Sequence, residues 1–222
     1  MGSTLGSQQV QTVLTRLREI GEAEDQPAKL RVKAREAELG LELYGIERAA
    51  LGAAASLAIT PTAGNVLYAV AFAARPAVIV EFGMSLGYST IHLASALRDL
   101  GSGKLITTEL LSEKAADGTK NLSDAGLADL VEVRVGEAVT TLAELDARID
   151  MLFLDGSNDL YLTVLEVLEP KLTARALVVA DMSHGDPHHT RYREHVNDPA
   201  HGYLTIEIPI DAGIVISTRR AL

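Results

Sequence analysis

V-I-V-E-F-G-M-S-L-G-Y-S-T, residues 78–90, decides how the rest of the chain is read. Val78, Ile79 and Val80 are β-branched and uninterrupted, as expected of a parallel strand buried on both faces. The run ends in an acid, Glu81, followed by two closely spaced glycines. Gly83 and Gly87 let the backbone turn sharply and approach a ligand, and Ser89 to Leu97 reads as the helix that follows. Strand, glycine loop and helix in this order make a cofactor loop at the strand's carboxyl end.

Glu81 discriminates between cofactors. A carboxylate there would repel the pyrophosphate of a dinucleotide and attract the sulfonium and ammonium groups of S-adenosylmethionine. The spacing, Gly-x-x-x-Gly behind Glu-x, also differs from Gly-x-Gly-x-x-Gly. S-adenosylmethionine is therefore the expected cofactor, and an NAD-dependent oxidoreductase is the disfavoured rival.

Outward from this loop, strands and helices alternate. Strands are expected at Val78 to Glu81, Lys104 to Glu109, Val131 to Val135, Met151 to Asp155 and Leu177 to Asp181, with helices at Thr90 to Leu100, Ser112 to Ala125, Ala138 to Leu145 and Leu160 to Leu168. Tyr203 to Ile208 and Ile214 to Thr218 are separated only by P-I-D-A-G, too short for a crossover helix, and so form an antiparallel hairpin. The fold class is α/β: a Rossmann-like doubly wound sheet of five parallel strands plus a C-terminal antiparallel hairpin. Ahead of it, Val10, Val13, Leu14, Leu17 and Ile20 predict an amphipathic helix ending near Gly21. Further helices are expected at Ala28 to Leu43, Ile46 to Ala58 and Asn65 to Ala74. The division expected is a helical extension over 1–60, serving as cap or dimerisation surface, and a cofactor-binding domain over 61–222.

Composition narrows the partners. Of 222 residues, 47% are hydrophobic, and 20 Lys+Arg against 30 Asp+Glu give a formal charge of -10. That balance disfavours nucleic acid, which calls for a basic face. No cysteine is present, which excludes disulfides, thiolate metal sites and cysteine nucleophiles. The polar first residues show no signal peptide, and the longest apolar region is broken by Thr60, Pro61 and Gly64, so no membrane span and a cytoplasmic location are expected.

In a doubly wound sheet the ligand sits at the carboxyl ends of the strands. Glu81, Glu109, Asp155 and Asp181 end four of the five parallel strands, and Gly136-Glu137 ends the remaining one. Glu109 lies 22 residues beyond Gly87, where a carboxylate accepts both ribose hydroxyls of an adenosine.

With these residues assembled, the stretch from about Ile59 onward resembles the catechol O-methyltransferase-like family, which includes caffeoyl-CoA and bacterial small-molecule O-methyltransferases. The resemblance is carried by Glu81 to Ser89, by Ala125-Gly126-Leu127, by Gly136-Glu137-Ala138, by Phe153-Leu154-Asp155-Gly156 with Tyr161, and by Ala180-Asp181 with the closing P-I-D-A-G. It implies that Glu81, Gly83, Ser85, Gly87, Tyr88 and Ser89 form the first cofactor loop. It implies further that Glu109 and Leu110 hold the ribose, Gly136, Glu137 and Ala138 flank the adenine, and Ile59 and Thr60 lie over the methionine part. Asp155, where it holds no metal, is expected to face the ammonium and sulfonium region.

Two departures qualify the resemblance. The family's general-base lysine falls at Asn158, and an amide takes no proton at useful pH. The family's Asp-Asn pair, part of a divalent-metal site, falls at Asp181-Met182, and a thioether is a poor ligand for magnesium-type ions. Five of the six histidines follow the fifth strand. Of these, His184, three residues beyond Asp181, is the candidate general base, while His188, His189 and His201 read as a solvated polar loop. A divalent ion held by Asp155, Asp181 and His184 ranks below metal-free catalysis because of Met182.

The expected activity is methyl transfer from S-adenosylmethionine to an oxygen of a small-molecule acceptor, with Asp155, Asn158, Asp181 and His184 as candidate catalytic groups. A non-catalytic homologue that only binds the cofactor is the alternative. A homodimer is expected, because the N-terminal helices carry more apolar surface than one small sheet domain covers.

Overall fold

The computed structural model describes residues 2–183 and 185–220. Seven strands form one sheet: β1 (Val78–Phe82), β2 (Lys104–Glu109), β3 (Val131–Val135), β4 (Ile149–Leu154), β5 (Leu172–Asp181), β6 (Tyr203–Ile208) and β7 (Ile214–Arg219). Their order is β3-β2-β1-β4-β5-β7-β6, with β1 to β5 parallel and β7 antiparallel to both β5 and β6. The order reverses direction between β1 and β4. In a doubly wound sheet this is the switch point over whose carboxyl ends a ligand is expected, because neighbouring crossovers leave on opposite faces there.

Helices cover both faces. On one side lie α1 (Gln8–Leu39), α3 (Pro61–Ala74), α4 (Tyr88–Leu100) and α5 (Ser112–Asp124), whose Leu17, Leu67, Ile91 and Leu122 share a core with Ile79 and Met151. On the other lie α6 (Ala138–Ala143), α7 (Tyr161–Leu168) and α8 (His189–Asn197), packing Leu142, Leu165 and Tyr192 against Val80 and Leu152. Leu5, Val10, Val13, Leu14, Leu17 and Ile59 thus contribute to the same core as the sheet, while the short α2 (Gly45–Leu51) buries none of its residues.

Three segments depart from the sequence reading. The two helices expected before and after Gly21 are one 32-residue helix, with Pro27 inside it. An interior glycine costs a helix only ~1 kcal/mol, and buried Ala28 and Val32 continue the apolar stripe beyond it. Gly21 also gives room, since a Cβ there would lie 3.1 Å from the Asp25 carboxylate and 3.6 Å from Ser56 Cβ. Second, the alanine-rich helix expected to Ala58 stops at Leu51. The next residues leave the helix because Ser85 Oγ donates to the Ser56 carbonyl at 2.5 Å and Leu57 N–H donates to Asp25 at 2.9 Å. Third, the histidine-rich stretch contains α8, which buries Tyr192 and Val196. Its turn-forming start, D-P-H-H, masks the three- and four-residue spacing of His189, Tyr192 and Val196.

Candidate active site

The loop from β1 to α4 is held from below. Glu81 has no exposed surface, and its carboxylate accepts hydroxyl hydrogen bonds of 2.6 Å from Ser89, Thr90 and Thr107. Burial raises its pKa, and the three hydroxyls oppose that rise. Glu81 therefore ties the start of α4 to β2 beneath the loop. The sequence reading put this carboxylate against the ligand; here it is enclosed, with no exposed surface.

Above it, Gly83 adopts φ 99°, and a Cβ there would stand 2.6 Å from the Asp155 carbonyl oxygen. Only glycine lets the loop lie this close to the end of β4. Ser85 N–H donates to Glu109 at 2.9 Å, and Leu111 N–H reaches the other oxygen at 3.0 Å. Gly136 N–H donates to the Glu109 carbonyl at 2.9 Å, which sets Gly136, Glu137 and Ala138 beside Glu109 and Leu110. Gly87 caps α4 from the left-handed region. Tyr88, by contrast, is buried in the core with its ring 4.9 Å from His92, and so packs beneath the loop. Ile59 is buried in the same core, while exposed Thr60 caps α3 and donates to the Asp211 carboxylate.

At the ends of β4 and β5 the electrostatics differ. Burial, then Asp181, then Glu81 hold the Asp155 carboxyl well above the usual range. Asp181 is pushed up to about 7 by burial and by Asp211 in the β6–β7 turn. Among the described residues, neither carboxylate accepts a hydrogen bond. Like charges held close in a poorly solvated crevice are unfavourable alone and favour a cation or a proton between them.

Asn158, three residues beyond Asp155, donates to Asp186 at 2.6 Å and to Ser183 Oγ at 3.2 Å. His184 lies outside the described residues. His189 is buried in α8, where the sequence had suggested a solvated loop. His188 meets Glu42 at 3.0 Å, and Tyr44 donates to the same carboxylate at 2.6 Å. Sequence reasoning missed Asp211 and Thr107 as parts of the site. The paired threonines that follow apolar Leu105 and Ile106 in β2 were the available signal for Thr107, which sits beside Glu81 in register.

Residues 80–182 match a family model described as a methyltransferase domain. The chain is 32% identical over 130 residues to a catechol O-methyltransferase of Niastella koreensis, covering 57% of this chain and 58% of that protein. With the catechol O-methyltransferase of Sus scrofa it shares 35% identity over 111 residues, 48% of this chain and 59% of that protein. The match thus spans just under three fifths of these relatives' lengths. In fold the chain is similar to an O-methyltransferase from Bacillus cereus in complex with SAH, with a TM-score of 0.69 at 19% identity over 94% of this chain and 91% of that one. An O-methyltransferase from Streptomyces achromogenes in complex with SAM gives a TM-score of 0.66 at 24% identity, covering 89% and 91%.

The divalent-metal site that the family resemblance implies does not fit these residues. Met182 is 1% exposed, with its thioether in the core, and its N–H donates to the Gly213 carbonyl. Among the described residues no three His, Cys, Asp or Glu side chains gather as a ligand set. No helix among them is long and apolar enough to cross a membrane.

Proposed function

We propose that the protein transfers a methyl group from S-adenosylmethionine to an oxygen of a small-molecule acceptor. The observation that carries this reading is the Asp155–Asp181 pair, without a hydrogen-bond donor among the described residues and resistant to ionisation, beside a glycine loop whose Ser85 amide is fastened to Glu109. Its field suits a donor that carries both a sulfonium and an ammonium group.

In this reading Glu109 takes the ribose hydroxyls, with its carboxylate already oriented by two amides. Gly136 to Ala138 flank the adenine. Ile59 and Thr60 cover the methionine part, and Asp155 faces the cationic end. The sulfonium is an activated leaving group, so positioning in line supplies much of the rate. The acceptor oxygen attacks the methyl carbon, the C–S bond breaks, and the acceptor's proton passes to Asp181, whose pKa near neutrality suits a general base. His184 is the second candidate for that proton. Asn158 positions the loop after β5 and takes no proton.

Calorimetry with S-adenosylmethionine and NADH, followed by a methylation screen of catechols, acidic phenols and carboxylic acids with magnesium or EDTA, tests the reading. Binding of the methyl donor with turnover in EDTA is expected. Binding without turnover of any acceptor would favour a cofactor-binding homologue, a role that the engaged Asn158 amide suits. We also propose that residues 1–60 act as a cap and dimerisation surface, that the protein is a cytoplasmic homodimer, and that its acceptor is not nucleic acid. A monomer by light scattering at micromolar concentration would refute the dimer.

A further inference from the structure

Residues 181–183 leave the end of β5 beside the site, beginning with Asp181. Their backbones are pinned one by one by three different elements. Tyr161 of α7 donates its hydroxyl to the Asp181 carbonyl at 2.8 Å. Met182 N–H donates to the Gly213 carbonyl of the β6–β7 turn at 2.9 Å. Ser183 N–H donates to Nδ1 of His189 in α8 at 3.4 Å. The two side chains in this set also support each other, since the Tyr161 and His189 rings lie 4.9 Å apart at 31°.

The histidine is an expensive way to fill that space. It is 1% exposed, and because Nδ1 accepts a hydrogen bond, the neutral ring carries its proton on Nε2. Nε2 is buried with no partner among the described residues. Burial lowers the pKa of the ring, which keeps it neutral and Nδ1 free to accept. A leucine would fill the volume without burying an unsatisfied donor. Such a local cost is expected where a position serves the site rather than the fold.

We propose that Tyr161 and His189 are positioning residues that hold the Asp181–Ser183 turn for methyl transfer, so that the turn needs no divalent ion to order it. The kinetic part rests on the methyl-transfer reading. The exchange part does not.

The test uses the full chain and three variants. Tyr161→Phe removes only the hydroxyl, His189→Leu removes the acceptor, and His189→Asn restores an acceptor close to the Nδ1 position. Amide exchange at Ser183 is expected to speed up at least ten-fold in His189→Leu and to return toward wild type in His189→Asn. SAH affinity by calorimetry is expected to stay within two-fold in all three. With an acceptor that the wild type methylates in EDTA, kcat is expected to fall roughly 10- to 100-fold in Tyr161→Phe and His189→Leu, at unchanged KM for the methyl donor. Partial recovery is expected in His189→Asn, and magnesium should rescue none of them. Unchanged exchange and kcat would overturn the proposal, as would rescue by magnesium. If His189→Leu does not fold, Tyr161→Phe decides on kcat alone. Failure of the wild type to bind SAH at all would sink the methyl-transfer reading while the exchange result still judged the clamp.

Discussion

Over β1 and β2 each carboxylate has its own donors: Glu81 takes three hydroxyls and Glu109 two backbone amides. Over β4 and β5, Asp155 and Asp181 accept none from the described residues, and each is held above the ordinary range mainly by burial. The first half is finished before any ligand arrives. The second holds stored electrostatic cost, which a cationic group or an incoming proton relieves. Preorganisation suits binding of a donor common to many reactions, and unsatisfied charge suits the reacting end.

The largest expected break in this contrast comes from Asp181→Asn. Loss of a general base should lower kcat roughly 100- to 10,000-fold. The same variant should be more stable than wild type at pH 8. Asp181 titrates near 7 folded against about 3.9 unfolded, so its ionisation opposes folding fully above pH 7. The gain should fade as pH falls through 7 and vanish near 4, as read by melting temperature. In the wild type, kcat should rise with pH through about 7, as the carboxylate form becomes populated.

Gly83→Ala tests where the two halves touch. Its Cβ would meet the Asp155 carbonyl at 2.6 Å from a positive φ, so the loop must move. A backbone penalty of about 1–3 kcal/mol and a clear loss of SAH binding are expected, read by urea unfolding and calorimetry. Glu109→Gln is confined to the first half. It should weaken SAH binding roughly 10- to 100-fold, the value of about 1.5–3 kcal/mol for hydrogen bonds to a charged group, and leave Asp181's pH dependence in place.

The smallest effect is expected at the rim. His188 is raised by its contact with Glu42, so the pair contributes stability below about pH 6.5 that is lost as pH rises through the higher folded pKa. His188→Ala should therefore lower the melting temperature slightly at pH 6 and not at pH 9. Equal melting curves at both values would remove the rim contact from the account.

The half over β1 and β2 was the legible one. V-I-V-E-F-G and the acid 22 residues past Gly87 are local signals, because a strand buried on both faces and a tight turn constrain adjacent residues. The half over β4 and β5 depended on residues remote in sequence. Asp211 acts on Asp181 across the β6–β7 turn, and Asn158 reaches Asp186 across two elements. His189 gave the opposite impression of its setting, since polar neighbours along the chain say nothing of the Tyr161 ring that α7 brings against it.

The sequence by itself determined the alternation of strands and helices, the glycine loop, the closing hairpin and the row of acids at the strand ends. All follow from periodicity and backbone freedom, which act between near neighbours. Only the tertiary structure decided that Gly21 and Pro27 lie within one helix, that Glu81 faces inward to three hydroxyls, and that Asp155 and Asp181 find no hydrogen-bond donor among the described residues. Burial and charge act through space, and the partners that set them come from distant parts of the chain.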